Sequence, residues 1–141
     1  MAFLAGLTPV SGSGIEITLS DSNTILAANQ NPSAALVQDS DLLLAEMLLW
    51  YGGARAVAIN GARITASTTI LSSGPTIVID GRRMVAPFRV SAVGDPVLLR
   101  TVLQTRGGFS DRMHEDGLGV WIVERSNVVV PPATPSRALA Q

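Results

Sequence analysis

An α+β fold, a mixed sheet with two main helices on one face and an extra β-hairpin, is what this sequence predicts, on three observations. Apolar stretches of period two or β-branched character alternate with two stretches of helical spacing. Two dipeptides, Asn60-Gly61 and Asp80-Gly81, each stand between apolar runs, where they make tight hairpin turns. A chain of 141 residues, 47% of them hydrophobic, can bury one sizeable core, so one domain is expected.

The first strand is read over residues 14–21, where Ile15, Ile17 and Leu19 alternate with Glu16, Thr18 and Ser20. Residues 22–37, rich in Asn, Ser and Ala and containing Pro32, read as a loop. A helix follows over residues 39–51. Asp39 or Ser40 can accept from its first amides, and Gly52-Gly53 can close it. It is so apolar that burial on more than one side is expected.

Residues 55–60 form a short inner strand, closed by the Asn60-Gly61 turn. Residues 63–70 are β-branched and strand-like. The extra hairpin pairs 76–79 with 82–85 across Asp80-Gly81, and 87–94 adds another strand. Asp95-Pro96 starts the second helix, since aspartate caps and proline lacks the amide that would go unpaired. Leu98, Leu99, Val102 and Leu103 are expected to face inward, and Gly107-Gly108 to end that helix. Residues 110–116 make one or two further turns, capped by Ser110 and stopped by Gly117; 118–131 is the last strand.

Two strand–helix–strand crossovers therefore flank a hairpin region. Right-handed crossovers place both helices on one face of the sheet, the ferredoxin-like or split βαβ arrangement. Residues 1–12 read as the end of a helix (Ala2–Gly6) and a lead-in loop, 13–131 as the domain, and 132–141 as a disordered tail.

Absences exclude several chemistries. All ten basic residues are arginine, and the net charge is −1, so no basic face for nucleic acid is expected. No lysine means no Walker loop and no Schiff base. No cysteine means no thiol nucleophile, thiolate site or disulfide, and one histidine rules out a multi-histidine zinc site. The apolar opening is too short to span a membrane and lacks a basic start. No cofactor and no metal are expected.

The candidate site residues are Arg63, Arg82, Arg83 and Trp50. The three arginines follow the two turns and could meet an anionic group or an acidic partner, although the turns alone explain the glycines. Trp50 is either core or an anchor for a partner. "SGSG" at 11–14 precedes a strand rather than opening a helix, so it is a flexible loop and not a phosphate cradle. His114 with Asp111, Glu115 and Asp116 reads as a solvated face.

Five stretches carry a family resemblance: "AGLTPVSGSGIEITLSDS", "DLLLAEMLLWYGGARAVAINGARITA", "GPTIVIDGRRMVAPFRVSAVGDP", "GGFSDRM" and "LGVWIVERSNVVVPPA". Taken in order they cover nearly all of residues 5–133 and resemble the YlxW-like bacterial proteins, domain-of-unknown-function family number 881. Met47-Leu48 stands where Asn-Glu is expected, and Ser72 where many relatives carry Cys. The resemblance implies an envelope protein with an N-terminal membrane helix, a coiled coil, and this domain outside the membrane. It also implies a setting near cell-division genes and, through the coiled coil, a homodimer or an oligomer with related proteins. The family has no assigned catalytic residues to carry over.

The expected function is therefore a non-enzymatic, membrane-tethered interaction domain that binds other envelope or division proteins. The alternative is a small-ligand sensor or hydrolytic enzyme with a pocket near loop 22–37.

Overall fold

The computed structural model describes residues 8–22 and 36–133. The expected helix end at 2–6, most of loop 22–37 and most of the tail at 132–141 lie outside the described residues.

The chain runs β1 (Val10–Ser20), α1 (Asp39–Tyr51), β2 (Ala56–Ile59), β3 (Ala62–Arg63), β4 (Ile70–Ser73), β5 (Thr76–Ile79), β6 (Arg82–Val85), β7 (Phe88–Val93), α2 (Pro96–Leu103), α3 (Phe109–Glu115) and β8 (Gly119–Val130). The fold is α+β. Five strands form one sheet in the order β3-β2-β7-β1-β8, and β4-β5-β6 form a second, three-stranded sheet. Each of these neighbouring pairs is antiparallel. The crossover through α1 leaves the width of one strand between β1 and β2, which β7 fills. The crossover through α2 and α3 passes β1 and sets β8 on the edge.

One core lies between the main sheet and the helices. Ile15, Ile17 and Leu19 enter it from β1, Val57 and Ile59 from β2, and Phe88, Val90 and Ala92 from β7. Leu42, Ala45 and Leu49 meet them from α1, Leu99 and Leu103 from α2, and Phe109 and Met113 from α3. Each large side chain so buried contributes about 1.5–3 kcal/mol.

A second, small cluster is made by Val10, Ala56, Ala58, Val93, Val128 and Val130. Ala56 and Ala58 alternate along β2 with the core residues Val57 and Ile59, so this cluster belongs to the other sheet face. The β1–β8 ladder shifts register between Gly12 and Gly14. That bulge re-aims the valines at the ribbon's far end. A side chain at Gly14 would collide with the Ala92 carbonyl, so the "SGSG" glycine is needed for a close backbone approach. β1 accordingly begins at Val10, four residues before the strand expected from alternation alone.

Several expectations are corrected. Residues 63–70 are not one strand. Strand pairing stops at Arg63 and resumes at Ile70, because hydroxyls close a local turn: Thr65 N–H donates to Thr68 Oγ1 at 2.8 Å, and Thr68 N–H to the Thr65 carbonyl at 3.1 Å. Threonine is β-branched, yet its oxygen competes with the sheet for backbone donors. The resumed strand turns the expected extra hairpin into a three-stranded sheet.

Caps also differ. α1 has Gln38 at its N-cap, and the Asp41 carboxylate reaches back to accept from Gln38 N–H at 2.8 Å. Burial raises the Asp41 carboxyl above its usual value, only partly offset by that bond. Asp39 accepts from the first-turn Ser40 N–H at 2.8 Å, as expected, and also exchanges bonds with Ser72: its N–H donates to Ser72 Oγ at 2.8 Å, and its carboxylate accepts from Ser72 N–H at 3.2 Å. α3 begins at Phe109 after Gly108, so Ser110 lies inside the first turn. Asp95 does cap α2, accepting from Val97 N–H at 2.9 Å. Leu98 is exposed; about 100° from Leu99 on the helix wheel, it misses the buried stripe.

Candidate functional site

The four residues singled out in the sequence fall in three different settings. Arg63 is only 6% exposed. Its Nη1 donates to the Thr8 carbonyl at 2.7 Å and to the Pro131 carbonyl at 3.4 Å. The guanidinium thus joins the start of β1 to the end of β8, and burial lowers its pKa from the usual value. Arg63 is a clamp within the fold and not a surface contact for a partner. Arg82 and Arg83 do lie exposed on β6. They stand on the other sheet and Arg63 is buried, so the three arginines do not form one surface patch.

Trp50 belongs to the outward side of α1. The helix buries Leu42, Ala45 and Leu49, while Leu43, Met47, Trp50 and Tyr51 stay exposed, Met47 by 65% and Tyr51 by 85%. Residues 43, 47 and 50 follow four-and-three spacing, so they form one stripe opposite the core. The expected burial of α1 on more than one side holds, since Leu44 and Leu48 also pack against the core from a second side of the helix. The stripe of Leu43, Met47 and Trp50 is apolar too, but it stays exposed among the described residues. Trp50 Nε1 donates to Glu46 Oε1 at 3.2 Å, which fixes the indole against the helix. Desolvation raises the Glu46 carboxyl above its usual value, more than that bond lowers it.

A cavity of about 260 Å³ opens between α2, α3 and the edge strand β8. Its walls carry Arg100, Gln104, Ser110, His114, Trp121 and Ile122, whereas the pocket expected near loop 22–37 falls mostly outside the described residues. Arg100 is held from two sides: Nε donates to Glu124 Oε2 at 3.0 Å, and Nη2 to the Ile122 carbonyl at 3.2 Å. Ser110 is 6% exposed, and its Oγ is buried without a hydrogen-bond partner among the described residues. An unsatisfied buried hydroxyl costs about 1–3 kcal/mol, which calls for an explanation. Ser110 and His114 share a face of α3 one turn apart, but no hydrogen bond joins them. Trp121 is exposed at the edge.

Sequence reasoning missed this cavity because its residues come from three elements. The available signal was a pair of four-residue spacings, Arg100 with Gln104 and Ser110 with His114, on successive helical segments. The helix-free side of the sheet is polar at its centre, where Glu16 bridges Arg89 at 3.3 Å and Arg125 at 3.4 Å. Such exposed pairs contribute about 0–1 kcal/mol. Among the described residues no group of three or more His, Cys, Asp or Glu stands ready to hold a metal ion. No described helix is long and apolar enough to cross a membrane.

Comparison with known proteins agrees with this fold. Residues 1–141 match the family described as "Bacterial protein of unknown function (DUF881)". The chain is 36% identical over 127 residues to UPF0749 protein YlxW of Bacillus subtilis (strain 168), covering 90% of this chain and 54% of that protein. It is 29% identical over 129 residues to UPF0749 protein Rv1823 of Mycobacterium tuberculosis (strain ATCC 25618 / H37Rv), covering 86% and 42%. The chain thus spans about half the length of the curated relatives it matches. A crystal structure of an uncharacterized conserved protein from Mycobacterium tuberculosis has a TM-score of 0.80 over 96% of this chain and 91% of that one. At 22% identity that likeness shows the fold.

Proposed function

Since the chain belongs to the bacterial DUF881 family, we propose that it is a non-enzymatic protein-interaction domain of the bacterial cell envelope. In the longer protein a membrane helix and a coiled coil tether it on the extracytoplasmic side, as a homodimer. There it assembles with envelope or division proteins. The length of its relatives, about twice the matched region, leaves room for such segments. The strand order β2-β7-β1-β8 supports reading the main sheet as ferredoxin-like, a split βαβ unit with β3 added.

The observation that carries the interaction reading is the outward face of α1. Leu43, Met47 and Trp50 are exposed in a single stripe, with Tyr51 beside it. Solvent-facing helix positions in a monomer are ordinarily polar, and a contiguous apolar stripe marks a contact surface. The spacing i, i+4, i+7 is that of anchors between two helices, so the occupant is an apolar helix of a partner protein.

The test is a photo-crosslinking residue placed at Met47, and separately at Arg82, in the full-length protein in its own cells. Adducts with a defined envelope or division protein from Met47 alone, abolished by Trp50→Asp in a folded protein, are the expected result. No adduct at Met47, or the same adducts from Arg82, would overturn the assignment of this face.

A further inference from the structure

We propose that the cleft between α2, α3 and β8 binds a small monocarboxylate with an apolar body. Four polar side chains line it: Arg100, Gln104, Ser110 and His114. Each carries at least one group able to donate a hydrogen bond, and a carboxylate accepts up to about four. The buried Ser110 hydroxyl has no partner among the described residues, so an oxygen brought by a ligand would satisfy it.

Charge narrows the class. Arg100 is the sole guanidinium of the lining, and Glu124 already holds its Nε at 3.0 Å. A half-neutralised cation suits one negative charge better than the two of a phosphate monoester. Its contacts to Glu124 and to the Ile122 carbonyl also fix the guanidinium plane. A carboxylate then meets a donor already oriented, which lowers the cost of binding.

The apolar part is set by β8. Val120 and Ile122, which pair with Leu19 and Ile17 and so face the helices, form the apolar wall of the cleft. They give the ring or short alkyl chain an apolar surface to lie on. The cavity, about 260 Å³, falls just below the usual range for small-molecule sites, roughly 300–1,000 Å³, so the ligand is small.

The probe is phenylacetate, titrated into the labelled protein and followed by amide and indole NMR shifts. Saturable shifts at Gln104, Ser110, Trp121 and Ile122 are expected. Phenylacetamide, of the same shape without the charge, should bind at least about tenfold more weakly, as should phenylacetate to Ser110→Val. Glu124→Gln should tighten phenylacetate several-fold, because it removes the competing negative charge while the glutamine oxygen and the Ile122 carbonyl still orient Arg100; general damage to the fold would not do that. Arg100→Gln should abolish binding. No saturable shift, equal binding of the amide, or weaker binding by a folded Glu124→Gln would each overturn the proposal.

Discussion

The β2–β3 and β5–β6 hairpins are the same device used twice, with opposite results for the arginine that follows. Both close on two residues of positive φ: Asn60 at 48° with Gly61 at 81°, and Asp80 at 49° with Gly81 at 82°. Both turns latch a neighbouring segment in the same way. Asn60 N–H donates to the Arg89 carbonyl at 2.8 Å, and its Oδ1 accepts from Arg89 N–H at 2.7 Å. Asp80 N–H donates to the Thr69 carbonyl at 3.0 Å, and its Oδ1 accepts from Thr69 N–H at 2.9 Å. Arg63 pairs with Ala58 just as Arg83 pairs with Val78, the same place relative to each turn. Yet Arg63 is buried and Arg83 is exposed. The turn is local chemistry. The fate of the arginine depends on the ends of β1 and β8, distant in sequence, which come to lie against the first hairpin.

The comparison breaks most clearly at Arg63. Arg63→Ala leaves two carbonyls without their charged donor and should cost about 3 kcal/mol, read as a lower urea midpoint. Next comes Asn60→Ala, which loses a hydrogen bond and forces a left-handed conformation on alanine. It should cost about 2 kcal/mol, of which Asn60→Gly recovers about half. Asp80→Ala, at the more exposed copy, should cost about 1 kcal/mol in the same measurement. Arg82→Ala with Arg83→Ala should stay within about 0.5 kcal/mol of the parent. An equal loss at Arg63 and Arg83 would show that the two hairpins do not differ as described.

What was legible in the sequence was local. The alternation of Ile15, Ile17 and Leu19, both Gly-containing turns, and the Asp95-Pro96 start each rest on neighbours a few residues apart. What was not legible depends on distant pairing. Ser72 caps α1 only because β4 lies against its start, and Gly14 is required only because β7 approaches there. Val10, Val128 and Val130 meet across the bulge, not along any periodic run. Leu43 and Met47 look like core residues in sequence because apolarity does not say which side of a helix has a neighbour. The Ser110 cavity was invisible for the same reason, since β8 supplies one of its walls.

The pairing of Val10 with Val130 brings residues 8 and 131 to the same end of an antiparallel ribbon. Tension between these two points acts across the strands, so it strains the ladder one rung at a time instead of sharing the load in shear. The outermost rung is the one that Arg63 bridges, with Thr8 on one side and Pro131 on the other. A pull between those points therefore meets its first resistance at a single guanidinium. Arg63→Ala should accordingly lower the force at which the ribbon begins to unzip when it is pulled between residues 8 and 131.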